Sequence, residues 1–325
     1  MIKAKRITVV GLVLSLVVLS IATAEGAPAW KPTQTLKCID LGGSPGNAYD
    51  LIVRQISNVL PDHLGVRINV QNISGGMGLT GLDMLSRSEP DGHTFAISPM
   101  PAYVALAIRK PLKVDASEFK VPLAILVPPY ALMSSMKSPY TSVSQLLNSK
   151  ERIRLSVAQS NFACIGLAAF FDEKKLNYVV ARHKGPSEAE MAVRSGDADL
   201  YISAATSVGL RPFTDGDARM LMVFDDKRMP EYPNVPCLTE AGMPEDLKFL
   251  RPLRLFIFPP GVPQDRIEIV RDGLTKALAD PRTLEWSKKA KIPVDLADSA
   301  SLDKRVKGVV DYMSRYPELV QKYFF

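Results

Sequence analysis

The sequence predicts an α/β protein of two lobes with a ligand cleft between them, on three observations. From Leu36 onward, short β-rich runs alternate with amphipathic helices, the rhythm of βα units on a mainly parallel sheet. Two long apolar segments, Val121 to Met133 and Leu253 to Phe258, each suit a crossing of the chain from one lobe to the other. Once an export signal is removed, roughly 300 residues remain, more than one core usually serves. The division expected is 1–24 for the signal, 25–125 plus 252–325 for lobe one, and 126–251 for lobe two.

Lys3, Lys5 and Arg6 precede an apolar run from Ile7 to Ile21 that ends in Ala22-Thr23-Ala24, the pattern of a secretory signal peptide. The run is shorter than the roughly 20 residues that cross hydrocarbon, so cleavage after Ala24 is expected rather than a permanent anchor. No cysteine follows closely enough to take a lipid; the nearest is Cys38. The mature chain should be soluble and periplasmic.

The first βα unit reads as a strand over Leu36–Leu41, a tight loop over Gly42–Gly46, and a helix over Asp50–Leu60 that buries Leu51, Ile52, Ile56, Val59 and Leu60. Asn47 is its natural N-cap, with Asp50 three residues on. In the second unit Val66, Ile68 and Val70 alternate with polar residues, and the glycine-rich run Ser74–Gly81 opens a short helix to Arg87. Glu89-Pro90-Asp91-Gly92 turns the chain into the strand Thr94–Ser98, with Ser98-Pro99 at its carboxyl end. Lobe two should hold the strand Arg154–Ala158, the loop Gln159-Ser160-Asn161, a helix to Leu176 and the strand Tyr178–Arg182. After Leu253–Phe258, Pro259-Pro260-Gly261-Val262-Pro263 leads into a helix over Gln264–Leu278.

Composition excludes several functions. The formal charge of +6 loses Lys3, Lys5 and Arg6 on cleavage and becomes +3, and no basic stripe with interleaved aromatics is present, so nucleic acid is not a partner. Cys38, Cys164 and Cys237 are too few and too far apart for a disulfide framework. There is no Cys-x-x-Cys or His-x-x-x-His pair, and His63, His93 and His183 are scattered, so neither metal nor cofactor is expected.

In an open parallel sheet, ligands bind beyond the carboxyl ends of the strands, where helix N-termini bring unpaired N–H groups and positive partial charge together. Three loops have that form: Ser44-Pro45-Gly46-Asn47-Ala48-Tyr49, Ser160-Asn161-Phe162-Ala163, and His183-Lys184-Gly185-Pro186 before a capping box at Ser187–Glu190. Ser98 and the Ser203-Ala204 turn after the strand Leu200–Ile202 complete the candidate lining. Hydrogen bonds to a charged group give about 1.5–3 kcal/mol each and a helix terminus up to about 2. Four such contacts approach the roughly 8 kcal/mol of a micromolar complex, so a carboxylate can be held without a buried lysine.

Gly-Ser-Pro-Gly-Asn-Ala-Tyr-Asp at 43–50, Gly-Gly-Met-Gly-Leu-Thr-Gly at 75–81 and Glu-Pro-Asp-Gly-His-Thr at 89–94 fall in a familiar order. With Lys184-Gly185, Ser195–Leu200, Pro233–Gly242, Phe258–Pro263 and Ala279-Asp280-Pro281, the set resembles the tripartite tricarboxylate transporter receptors, the Bug family. The likeness runs through nearly all the mature chain. It implies a periplasmic binding fold of the type II kind, a small organic acid in the cleft, and delivery to a membrane permease; a monomer is the default expectation. It also implies that Ser44 to Tyr49 and Ser160 to Ala163 hold a carboxylate, partly through ordered water. Asn47, Ala48 and Tyr49 stand where the family commonly has more glycine and a small or hydroxyl residue. Arg182-His183 replaces proline-tyrosine, and Ser203 stands where an acid is often found. The last departure implies a ligand without an amino group or hydroxyl to meet that acid.

Two rival readings remain at this stage. Cys164 at a helix start and His183 on a neighbouring loop could serve a hydrolase, though no motif orders cysteine, histidine and an acid. The same bound form could also signal to a sensory partner rather than feed a permease.

Overall fold

The computed structural model describes residues 30–42, 45–73, 78–100, 103–104, 118–158 and 161–324. One group of strands comprises β1 (Leu36–Asp40), β2 (Ile68–Asn72), β3 (Thr94–Pro99), β4 (Lys120–Leu126) and, much later in the chain, β10 (Leu253–Phe258). A second comprises β5 (Tyr130–Ser135), β6 (Ile153–Ala158), β7 (Tyr178–His183), β8 (Leu200–Ala204) and β9 (Ala218–Val223). They form two five-stranded sheets of matching design, ordered β2-β1-β3-β10-β4 and β7-β6-β8-β5-β9.

In each sheet three neighbouring strands are parallel and the fourth is reversed. β10 runs antiparallel to β3 and β4, and β5 antiparallel to β8 and β9. The reversal follows from the crossings. β4 passes through Val127-Pro128-Pro129 directly into β5, and the chain returns through residues 224–252 into β10. A chain that leaves one sheet at the carboxyl edge of its parallel strands enters the other from that edge, and therefore runs against its new neighbours. Tyr130 at the start of β5 accordingly pairs with Ala204 at the end of β8, and Arg254 near the start of β10 pairs with Pro99 at the end of β3. The carboxyl edges of both sheets thus meet at the crossings.

The helices are α1 (Ala48–Val59), α2 (Pro61–Leu64), α3 (Leu79–Ser86), α4 (Val143–Leu147), α5 (Ala163–Glu173), α6 (Pro186–Ser195), α7 (Arg211–Thr214), α8 (Gln264–Ala279), α9 (Pro281–Ala290), α10 (Ser299–Arg315) and α11 (Pro317–Phe324). A 3-10 segment spans Glu245–Leu250. α1 and α8 bury Ile52, Ile56, Val270 and Leu274 against Phe95, Phe256 and Phe258 of the first sheet. Leu51, expected on that buried face, is 37% exposed: Ile52, Ile56 and Val59 define the stripe, and one residue earlier turns about 100° away from it. The other face of the first sheet joins a larger core in which Leu255 and Ile257 share a cluster with Leu167, Phe170 and Phe171 of α5. α10 lies on β4 and on the 3-10 segment, and α11 lies on α5, so one apolar core continues across the junction.

Local differences from the sequence reading have local causes. β2 begins at Ile68, two residues after the alternation starts. α5 ends at Glu173 rather than Leu176, because Lys174 caps it and Lys175 turns to a positive φ of 55°. The capping box at Ser187–Glu190 does not form. Pro186 occupies the first helical turn of α6, which makes Gly185 the N-cap, and Glu190 is drawn instead to Arg194.

Cys38, Cys164 and Cys237 are all free and buried. Burial holds the Cys38 thiol well above its usual range, with Asp40 adding to the effect. The native protein should therefore resist a thiol reagent such as DTNB at pH 8, releasing the colour of all three thiols only in denaturant. Rapid labelling of any one in the native state would contradict this arrangement.

Candidate functional site

The loop from β1 to α1 is fixed by a small lattice of carboxylates and amides. Asp40, fully buried at the end of β1, accepts from the Gly42 N–H at 2.6 Å, Asn47 Nδ2 at 3.0 Å and Asn72 Nδ2 at 2.9 Å. Asn72 reaches it because the parallel register sets Asp40 beside Asn72 on β2. Asn47 is the N-cap expected: its Oδ1 accepts from the N–H groups of Tyr49 at 2.6 Å and Asp50 at 3.0 Å. Asp50 accepts from the Gly46 N–H at 2.9 Å, from Arg54 Nε at 2.9 Å and from Asn72 Nδ2 at 3.1 Å. Gly46 has φ +83°, a conformation that suits glycine and lets the chain double back onto the helix start.

The two carboxylates respond oppositely. Burial raises the pKa of Asp40, against the hydrogen bonds it accepts. Burial also pushes Asp50 up, but the bonds from Arg54, Gly46 and Asn72 outweigh it and leave the group below the usual carboxylate range.

Tyr49 projects from this loop and packs over Gly42, where a Cβ would come within 2.5 Å of the ring. Its phenol is pushed up to about 12, by burial first. Tyr130, on the second sheet, is also held well above the usual phenol range by burial, and both Tyr49 and Cys164 act on it electrostatically. Tyr130 begins β5 at the carboxyl edge of the second sheet, directly after the crossing from β4.

At the start of α5, Asn161 is buried and holds the loop: its Nδ2 donates to the Ile202 carbonyl at 2.7 Å, and its Oδ1 accepts from the Ala163 N–H at 3.0 Å. Phe162, Ala163 and Cys164 are buried behind it. The Cys164 thiol is pushed up to about 12 by burial, with Arg182 pulling the other way, so it is a packed thiol rather than an activated thiolate. Ser44 and Ser160 lie outside the described residues.

The remaining candidates are distributed around this centre. Pro45 and Gly46 are exposed, and Asn47 and Ala48 half-buried. Ser98 is fully buried with its hydroxyl donating to the Pro99 carbonyl at 3.2 Å. His183 ends β7 beside Ala158, half-buried, with Nε2 unpartnered among the described residues. Lys184 is exposed and its N–H is taken by Glu188 at 3.2 Å. Ser203 backs onto Gly209, where a Cβ would come within 2.6 Å of its hydroxyl, while Ala204 stands opposite Tyr130.

Sequence reasoning missed Tyr130 and Arg254. Arg254 is 6% exposed, lies 5.6 Å from the centre of the Tyr49 ring, and donates to the Pro293 carbonyl at 3.3 Å. Its signal was a single charge in the otherwise apolar strand Leu-Arg-Leu-Phe-Ile-Phe.

Two five-stranded α/β sheets joined by two chain crossings define the class: a two-lobed fold of the periplasmic binding kind. The chain belongs to the tripartite tricarboxylate transporter receptors, the Bug family, whose model, "Tripartite tricarboxylate transporter family receptor", matches residues 52–323. It is similar to BugT of Bordetella pertussis, 24% identical over 289 residues that cover 86% of each chain. Its fold is similar to that of a TctC solute binding protein from Polaromonas, with a TM-score of 0.71 at 16% identity, covering 87% of this chain and 99% of that one. MatC from Rhodopseudomonas palustris, solved with bound malate, superposes with a TM-score of 0.65 at 18% identity, over 89% and 99% of the two chains. These are solute-binding proteins and not enzymes, which agrees with the packed state of Cys164.

Proposed function

We propose that the chain is an exported periplasmic receptor that captures a small carboxylate between its two lobes and delivers it to a membrane permease of the tripartite tricarboxylate type. One observation supports this reading: at its carboxyl edge, where the crossings join it to the other, each sheet carries a helix N-terminal turn begun by an ordered asparagine. Helix N-termini favour anions through their N–H groups and dipole. The malate held by MatC supports a carboxylate as the cargo class. Residues 1–24 act as the cleaved signal, 25–125 with 252–325 as lobe one, 126–251 as lobe two, and the receptor works as a monomer. Among the described residues no helix is long and apolar enough to cross a membrane.

The ligand-lining set is Ser44 to Tyr49, Ser98, Ser160 to Ala163, His183, Lys184, Ser203 and Ala204. Differential scanning fluorimetry of the mature protein against mono-, di- and amino-carboxylates tests the reading. A ligand present at about 100 times its Kd should stabilise the fold by about 2.7 kcal/mol and raise the melting temperature. Acids lacking an amino group are expected to give the largest shifts, since Ser203 supplies no carboxylate to meet an ammonium. A panel in which no acid shifts the transition would end the proposal, and one in which amino acids lead would end the selectivity.

A further inference from the structure

Half-buried Arg194 and Arg251 hold carboxylates, Glu190 and Asp225, whereas half-buried Arg182, among the described residues, meets only the Lys322 carbonyl. Arg254 holds no carboxylate among the described residues. Its Nε has no hydrogen-bond partner, and the groups nearest the guanidinium are the Pro293 carbonyl and the face of the Tyr49 ring. A buried cation without an anion is unfavourable, and a ring face and one carbonyl replace only part of the water it has lost. Burial pulls its pKa down accordingly. Fold stability alone would place an aliphatic residue at this point of a strand whose other members are all apolar and buried. Arg254 also stands at the carboxyl edge of its sheet, opposite Pro99, with its guanidinium against the Tyr49 ring.

We propose that Arg254 is a specificity-determining residue, whose buried charge behind Tyr49 makes the cleft select ligands carrying a second acidic group over ligands in which that group is neutral. This rests on the carboxylate reading above. The loop amides carry no net charge. The guanidinium adds a full charge in a region of low dielectric, where its field reaches several ångströms with little screening.

The test is isothermal titration of the mature parent, Arg254→Gln and Arg254→Lys with two matched pairs, succinate against succinamic acid and adipate against adipamic acid. The parent should prefer the better-bound diacid over its monoamide by more than about tenfold, a difference of about 1.4 kcal/mol. Arg254→Gln should bring that ratio close to one while leaving monoamide affinity nearly unchanged, and Arg254→Lys should keep the preference. A glutamine variant that weakens both members of a pair equally, or that retains the preference, overturns the assignment. Should that variant fail to fold, a lysine variant without the preference does the same. A parent that binds diacid and monoamide alike overturns Arg254's role and leaves the carboxylate reading standing. A parent that binds no acid removes both.

Discussion

An Asn161→Asp receptor is expected to bind its carboxylate about a thousandfold more weakly than the parent. The substitution nearly preserves shape, and Oδ1 can still accept from the Ala163 N–H. The other side-chain atom changes from a donor to an oxygen facing the Ile202 carbonyl, which Nδ2 now meets at 2.7 Å. The new negative charge lies at the N-terminal turn assigned to the ligand. Two like charges about 4 Å apart at an effective dielectric of about 20 repel by about 4 kcal/mol, roughly three decades in affinity. Asn161→Ala separates the effects: it loses both bonds and destabilises the fold by about 2–4 kcal/mol, but introduces no repulsion. Titration calorimetry at pH 7 of both variants checks the difference. An aspartate variant that binds within tenfold of the parent would place the ligand away from this turn.

Asp50→Ala should cost about 3 kcal/mol of folding stability at pH 7. The carboxylate is 2% exposed, and its loss removes the bonds from Arg54, from the Gly46 N–H and from the Asn72 amide, which keeps only Asp40. Arg54, 52% exposed, recovers water, which keeps the cost below that of a fully buried pair. The pH dependence identifies the cause. Asp50 has a folded pKa below its ordinary 3.8, so ionised Asp50 contributes stability that is complete above that value and is lost as pH falls through the lower folded one. Urea denaturation should therefore show a full gap between parent and variant at pH 7 that closes below about pH 4. A gap independent of pH would assign the effect to packing alone. Asp50→Asn, which keeps an acceptor for Gly46, should cost less.

What the sequence discloses here is what short-range chemistry determines. The Asn47 cap is readable because its partners are two and three residues away. The crossings are readable because a continuous apolar run ending in Val127-Pro128-Pro129 cannot remain inside one sheet. Direction is not readable: an apolar strand pattern is the same read either way, so the reversal of β5 and β10 emerges only from the topology. Contacts set by register are hidden for the same reason. Nothing near Asp40 in sequence announces Asn72, and nothing near Tyr49 announces Arg254, more than two hundred residues later. At Ser187 the local signal misled, because Pro186 claims the first helical turn and Arg194 and Arg211 draw Glu190 away.

Helix α11 gives the molecule a third fastening besides its two chain crossings. Val320 and Tyr323 are buried in the core shared with α5, the Lys322 carbonyl accepts from Arg182, and Tyr312 on α10 reaches the Gly166 carbonyl. Two halves hinged only at a spine could swing apart like the covers of a book. Here a clasp lies across them, so parting requires it either to slide over α5 or to travel with one cover.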